Sequence, residues 1–310
     1  MVGQTKNSPK SWLAFDLNVL RRLKFSSAAI PFVDQPALGA YLKRWNARVL
    51  VNDPVQSFWA RALAEISNNA QKLSLDEADV VLNDAYVPGY RLKNPALASW
   101  FREVDAWWFD NVRMNIDRLP SQMSQAIAST LVMAVGDYAM SFNEATGELR
   151  QPLSTVFRRL WSIQPEPVNN GQNNTCSNKT ADDFLAETPA ELMFLRLPVA
   201  HASGLKSYLG RAAWGEEWLR GGNAFWNTLE SAMAGKLGAP TETKSQYLHL
   251  LEETLRRASH IKTWAIAHVE SGFIQSQDIV DTIASIRRVE TIYTKDFSEL
   301  TGTKAVIITA

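Results

Sequence analysis

Two short apolar runs near the start constrain this chain most. Residues 28–33 (Ala-Ala-Ile-Pro-Phe-Val) and 48–53 (Arg-Val-Leu-Val-Asn-Asp) both read as strands. Between them, residues 36–45 set Leu38, Tyr41, Leu42 and Trp45 on one face of a helix. A strand, a helix and a second strand in so short a span is the crossover unit of a parallel sheet. The chain therefore opens as a doubly wound α/β sheet, and the second strand ends in an acid, Asp53.

The remainder alternates in the same way, with one interruption. Residues 12–24 predict a helix, with Leu13, Leu17, Leu20 and Leu23 apolar. A long helical stretch covers about 55–161. In it, Ser74-Leu75-Asp76-Glu77 is a helix start with a Ser cap and a Glu three residues on. Residues 83–95 read as a loop punctuated by Pro88, Gly89 and Pro95, and residues 96–119, 121–142 and 152–161 as helices. The polar segment 164–178 predicts a loop ending in a short strand near Thr175. A short helix follows at 180–186. The run 191–199 (Glu-Leu-Met-Phe-Leu-Arg-Leu-Pro-Val) is a buried strand that leaves the sheet at Arg196. Residues 205–238 read as helical or irregular, broken at Gly221-Gly222. Helices at 243–259 and 276–285 enclose a strand at 261–269. Strands at 289–294 and 305–309, joined through Gly302, are expected to pair as a C-terminal antiparallel hairpin. Three regions follow: 1–54 opening the sheet, 55–163 as a helical insert subdomain, and 164–310 completing the sheet.

Composition narrows the function classes. Lys and Arg balance Asp and Glu at 32 each, which argues against a dominant electrostatic grip on nucleic acid. The single cysteine, Cys176, excludes an intrachain disulfide and a multi-cysteine metal site. His201, His249, His260 and His268 lack metal-ligand spacing, so no metal is expected. Residues 1–11 lack the apolar run of a signal peptide, and no run is long enough to span a membrane. A cytoplasmic location without membrane association is expected. The eleven tryptophans are scattered and read as core rather than as stacking platforms. Phosphate-cradling and nucleophile-elbow motifs are missing. Arg21-Arg22-Leu23-Lys24, Arg158-Arg159, Arg256-Arg257 and Arg287-Arg288 are basic clusters, each read first as a solvated helix face.

The whole chain resembles the D12-class N6-adenine DNA methyltransferases. Residues 31–38 (Pro-Phe-Val-Asp-Gln-Pro-Ala-Leu) sit where that family has its methyl-donor loop, Asp-Pro-Phe-Ala-Gly-Ser-Gly. Residues 49–53 match its second strand, whose acid binds the donor's ribose. Residues 108–139, including Ile116-Asp117-Arg118-Leu119, are similar to its helical insert, and 264–274 to the strand and loop it often writes Ser-Tyr-Asn-Asn-Glu-Gly-Leu-Ile. Residues 191–199 match the strand that carries Asp-Pro-Pro-Tyr. The resemblance implies a class I methyltransferase-like, Rossmann-like α/β fold: a mostly parallel sheet, a C-terminal antiparallel hairpin and a helical insert.

The departures fall on the chemistry. Asp34, Gln35 and Pro36 stand where glycines let backbone N–H groups approach the cofactor. The catalytic signature is replaced by Arg196, Leu197, Pro198 and Val199. An arginine has five donors and no acceptor, so it cannot hold an adenine amino group, and Val199 has no ring to stack on a flipped base. The resemblance thus implies no catalytic residues, and a vestigial pocket of Phe32, Asp34, Gln35, Pro36 and Asp53. No cofactor is expected, although the family uses S-adenosylmethionine. Because the first and fourth strands of this fold are neighbours, Asp34 and Arg196 are expected to pair across the old pocket. The implied role is a binding or partner subunit in DNA modification or restriction, with DNA or a DNA-modifying protein as partner. Two other readings stand beside it. One is an active methyltransferase with a rearranged site using His201 or Asp53. The other is a small-ligand sensor in which Arg196 grips an anion.

Overall fold

The computed structural model describes residues 10–310 apart from Pro88, Glu144 and Ser271. The leader reading of residues 1–11 thus falls almost wholly outside the described residues, as does the breaker Pro88. A seven-stranded sheet holds the molecule together. In chain order its strands are β1 (Ser27–Ile30), β2 (Arg48–Asn52), β3 (Thr175–Ser177), β4 (Leu192–Arg196), β5 (Thr263–Val269), β6 (Thr291–Asp296) and β7 (Lys304–Thr309). They lie in the order β3-β2-β1-β4-β5-β7-β6. The pairs β3·β2, β2·β1, β1·β4 and β4·β5 are parallel. Strand β7 runs antiparallel between β5 and β6, so the C-terminal hairpin inserts rather than merely adding to an edge.

Side chains alternate across this sheet as the pleat requires. Leu192 and Phe194 of β4 enter the core on one face, and Met193 and Leu195 enter the core on the other. The first face is covered by α1 (Lys10–Leu20) and α2 (Ala37–Arg44). The turn from α2 into β2 is closed by Asn46 at φ 65°.

The interruption between β2 and β3 is helical. It contains α3 (Gln56–Ala62), α4 (Leu75–Leu82), α5 (Glu103–Ile116), α6 (Gln122–Met140) and α7 (Leu153–Ser162). Ser74 caps α4 as its sequence requires: Ser74 Oγ accepts from the Glu77 N–H, and the Glu77 carboxylate accepts from the Ser74 N–H. The single helix expected over 96–119 is split. A 3-10 turn covers Pro95–Ser99, and α5 begins only at Glu103. The break turns Phe101 inward, where it stacks on Phe109 at 4.2 Å and meets the edge of Trp214.

Between β3 and β4 lies α8 (Ala181–Glu187). After β4 come α9 (Leu205–Leu209), α10 (Ala213–Leu219), α11 (Trp226–Met233) and α12 (Lys244–Arg257); α13 (Ser276–Ala284) follows β5. The helical core draws on α10 as well, for Trp214 and Trp218 are buried among Trp108, Phe109 and Met133. Gly136 makes this packing possible, since a Cβ there would sit 2.1 Å from the Trp214 ring. Among the described residues no helix is long and apolar enough to cross a membrane.

Candidate functional site

Parallel pairing of β1 with β2 and β4 brings the loop 31–36, Asp53 and Arg196 to one edge of the sheet, at the C-terminal ends of the strands. Open α/β sheets place ligands there. A cavity of about 470 Å³ survives at this edge, walled by α1, the loop after β1, α2 and the end of β4. Phe32, Asp34, Gln35 and Arg196 line it, together with Asp16 and Tyr41.

Asp53 does not line the cavity. It is buried, and both its oxygens are used: Oδ2 accepts from the Val33 N–H and Oδ1 from the Val55 N–H, each at 2.9 Å. The backbone on either side of Asp53, at the loop after β1 and at the start of α3, therefore occupies both oxygens of this acid. Burial pushes the Asp53 carboxyl well above the usual carboxylate range, against the pull of those two N–H groups. Beside it, the buried Glu216 accepts from the Gln56 N–H at 3.0 Å, the Ser57 N–H at 2.7 Å and Arg220 Nε at 2.6 Å. The turn from β2 into α3 is thus filled by the protein's own carboxylates. Pro36 is buried at the start of α2 and stays out of the cavity wall.

Arg196 is paired, but not as the sequence reading expects. Its guanidinium forms an ion pair with Asp16 of α1. It also lies 5.7 Å from the Trp12 ring and 5.7 Å from the Phe194 ring. Asp34 shares the cavity wall, and its carboxylate accepts from the Gln35 N–H at 2.7 Å. The Arg196 charge lowers the Asp34 pKa, while burial raises it further and wins. Helix α1 packs on the same face of the sheet as Leu192 and Phe194 and presents Asp16 to the guanidinium. Burial raises the Asp16 carboxyl to about 6, and the charge of Arg196 opposes that rise.

The residues after Arg196 are pinned in place. The Leu197 N–H donates to the Ala267 carbonyl at 2.9 Å, and Tyr247 Oη donates to the Pro198 carbonyl at 2.8 Å. Val199 is exposed. His201 accepts from the Thr241 N–H through its carbonyl at 2.7 Å, and its ring stacks on Tyr208 at 3.9 Å. Its Nδ1 bonds the Ser203 carbonyl at 2.8 Å, and burial holds its pKa below the ordinary histidine value. Gly238, at φ +94°, lets its segment lie close against the Phe32 ring. Among the described residues no group of three or more His, Cys, Asp or Glu side chains could hold a metal ion.

Sequence reasoning missed Asp16 and Glu216. Asp16 did leave a signal. It stands among Leu13, Leu17 and Leu20 on the apolar face of its helix, where an acid needs a buried partner.

A sheet ordered 3-2-1-4-5-7-6 with only the seventh strand reversed, and a helical layer after its second strand, is the class I methyltransferase fold. Over 290 residues, 84% of this chain and 81% of the relative, the sequence is 22% identical to the Type II methyltransferase M2.HphI of Haemophilus parahaemolyticus. No family model matches the chain. The protein is methyltransferase-like, a distant relative of that enzyme.

Proposed function

We propose that this protein is a catalytically inactive homologue of an adenine-specific DNA methyltransferase. It acts by binding, as a partner subunit in DNA modification or restriction. One observation carries the reading: at the end of β4, where the family it resembles places a catalytic acid, stands Arg196, paired with Asp16. A guanidinium offers donors only and cannot accept a hydrogen bond from an exocyclic amine.

The residues present do not fit S-adenosylmethionine as that family holds it. The ribose acid is turned into the protein, with both oxygens bound to backbone N–H groups. Asp34 brings a carboxylate to the loop that would face the cofactor's own carboxylate. No transfer step is therefore assigned to the site. Incubation with tritiated methyl donor and mixed DNA, RNA and protein substrates is expected to leave all of them unlabelled. Stoichiometric or catalytic labelling of any one would establish an active enzyme instead. That competing reading is favoured by the name of the distant relative. The anion-sensor reading draws on the surviving cavity, whose volume suits a small molecule. An anion there would meet Asp16 and Asp34 beside Arg196.

A further inference from the structure

The opposite edge of the sheet carries cations that form no ion pair among the described residues. Helices α1 and α2 end at Leu20 and Arg44, so the turns after them lead to the N-terminal ends of β1 and β2. Arg21, Arg22, Lys24, Arg44 and Arg48 stand there, the first four exposed and Arg48 half-buried. Among the described residues none of the five forms an ion pair, whereas Arg61, Arg150 and Arg158 elsewhere each face an acid. Glu191, which precedes the neighbouring strand β4, accepts from the Ser26 N–H at 2.7 Å and pairs with none of them.

These side chains are nonetheless positioned. Arg21 lies 5.2 Å from the Trp45 ring, Arg44 5.3 Å from Tyr41 and Arg22 5.4 Å from Tyr293. Arg48 Nε donates to the Asn173 carbonyl at 3.1 Å, which sets the exposed amide of Asn173 beside it. Aromatic faces hold the guanidinium groups by cation–π attraction while leaving N–H donors free. Clustered like charges repel one another, and among the described residues no ion pair offsets that here; Arg22 donates only to the Asn18 amide oxygen, at 3.1 Å. Arginines interleaved with amides along one edge suit an extended polyanion better than a single small anion. Arg, Lys and Asn side chains are the usual contacts to nucleic-acid phosphates.

We propose that this N-terminal edge binds the phosphodiester backbone of a nucleic-acid duplex without reading its sequence; it meets the cavity at the other edge only through Tyr41, whose ring lines that cavity and also holds Arg44. The assignment is independent of whether the protein transfers methyl groups.

The test is fluorescence anisotropy of the full chain on labelled duplexes of arbitrary sequence, one DNA and one RNA, from about 50 to about 200 mM salt. Binding that weakens steeply with salt is expected. The R21E/R44E variant should raise Kd about tenfold or more and lower the salt slope by about two. The neutral R21Q/R44Q variant should move both quantities less, in the same direction. As a control, R91E/R159E makes the same change of charge at two exposed arginines of the helical stretch between β2 and β3, neither of which forms an ion pair among the described residues, and should leave Kd within about twofold. Comparable affinity for the two duplexes, or preference for DNA, supports the assignment. Failure to bind either duplex at about 50 mM salt would overturn it. So would an equal loss in the R91E/R159E control, or binding to phosphatidylserine vesicles but not to duplex.

Discussion

The two edges of one sheet treat charge in opposite ways. At the C-terminal edge three charged groups are engaged within the protein: Asp53 by two backbone N–H groups, Arg196 by Asp16, and Glu216 by α3 and Arg220. At the N-terminal edge Arg21, Arg22 and Arg44 lie over aromatic rings and form no ion pair among the described residues. Open α/β sheets normally take ligands at the first of these edges. Backbone topology has brought the site residues to that edge here too, yet Asp53 is held by backbone N–H groups and Arg196 is paired with Asp16. The edge favoured by a fold is therefore available for binding only where side chains leave donors and acceptors free.

Breaking the inward pairing should have the largest effect. Arg196→Met leaves the buried Asp16 without its counter-ion, and at pH 8 this should cost about 3–5 kcal/mol in urea unfolding. The double variant D16M/R196M should regain most of that loss, because an apolar pair needs no compensation. A single variant as stable as the wild type would show that the ion pair does not hold α1 to the sheet. Asp53→Ala strands the Val33 and Val55 N–H groups in a buried turn, and a loss of about 2–4 kcal/mol is expected by the same measurement.

A pH dependence of intermediate size sharpens the contrast. The native-state pKa of Asp16, about 6, lies above its ordinary value of 3.8, so the native state holds this proton more tightly than the unfolded chain does. Its contribution to stability is therefore greatest below the ordinary value and is lost as pH rises to about 6, by up to about 3 kcal/mol. The stability difference between wild type and D16N, followed from pH 4 to pH 8, should fall across that interval and level off above it. A difference that is flat with pH would mean that Asp16 is not held in a desolvated site. The smallest effect belongs to the other edge. R21E/R44E should change unfolding free energy by no more than about 0.5 kcal/mol, because these side chains carry no buried pairing. A large loss would mean that their stacking on Trp45 and Tyr41 is structural.

Much of the fold was legible in the sequence because local patterns carried it. Short continuous apolar runs gave β1, β2, β4 and β5, and the Ser74–Glu77 cap gave the start of α4. Even the short β3 was visible at the end of its asparagine-rich loop. The adjacency of β1 and β4 followed from topology and placed Arg196 at the right edge. What stayed hidden was decided over long separations. Asp16 meets Arg196 across 180 residues, and Glu216 reaches Ser57 across 159. No periodicity encodes such partners. The same holds for Trp214 and Trp218, which join a helical core assembled mostly from residues far earlier in the chain. The break before α5 was missed because Phe101 turns inward to rings that only the tertiary fold supplies.

Calorimetric titration of the purified chain with S-adenosylmethionine interrogates the donor edge without any assumption about substrate. A carboxylate already satisfied by Val33 and Val55, and a guanidinium already satisfied by Asp16, should yield no saturable heat at ligand concentrations up to about 1 mM, the weak end of specific binding. Saturable uptake at micromolar concentration, abolished by Asp53→Ala, would mean that these groups turn outward to meet the ligand and that the edge is open.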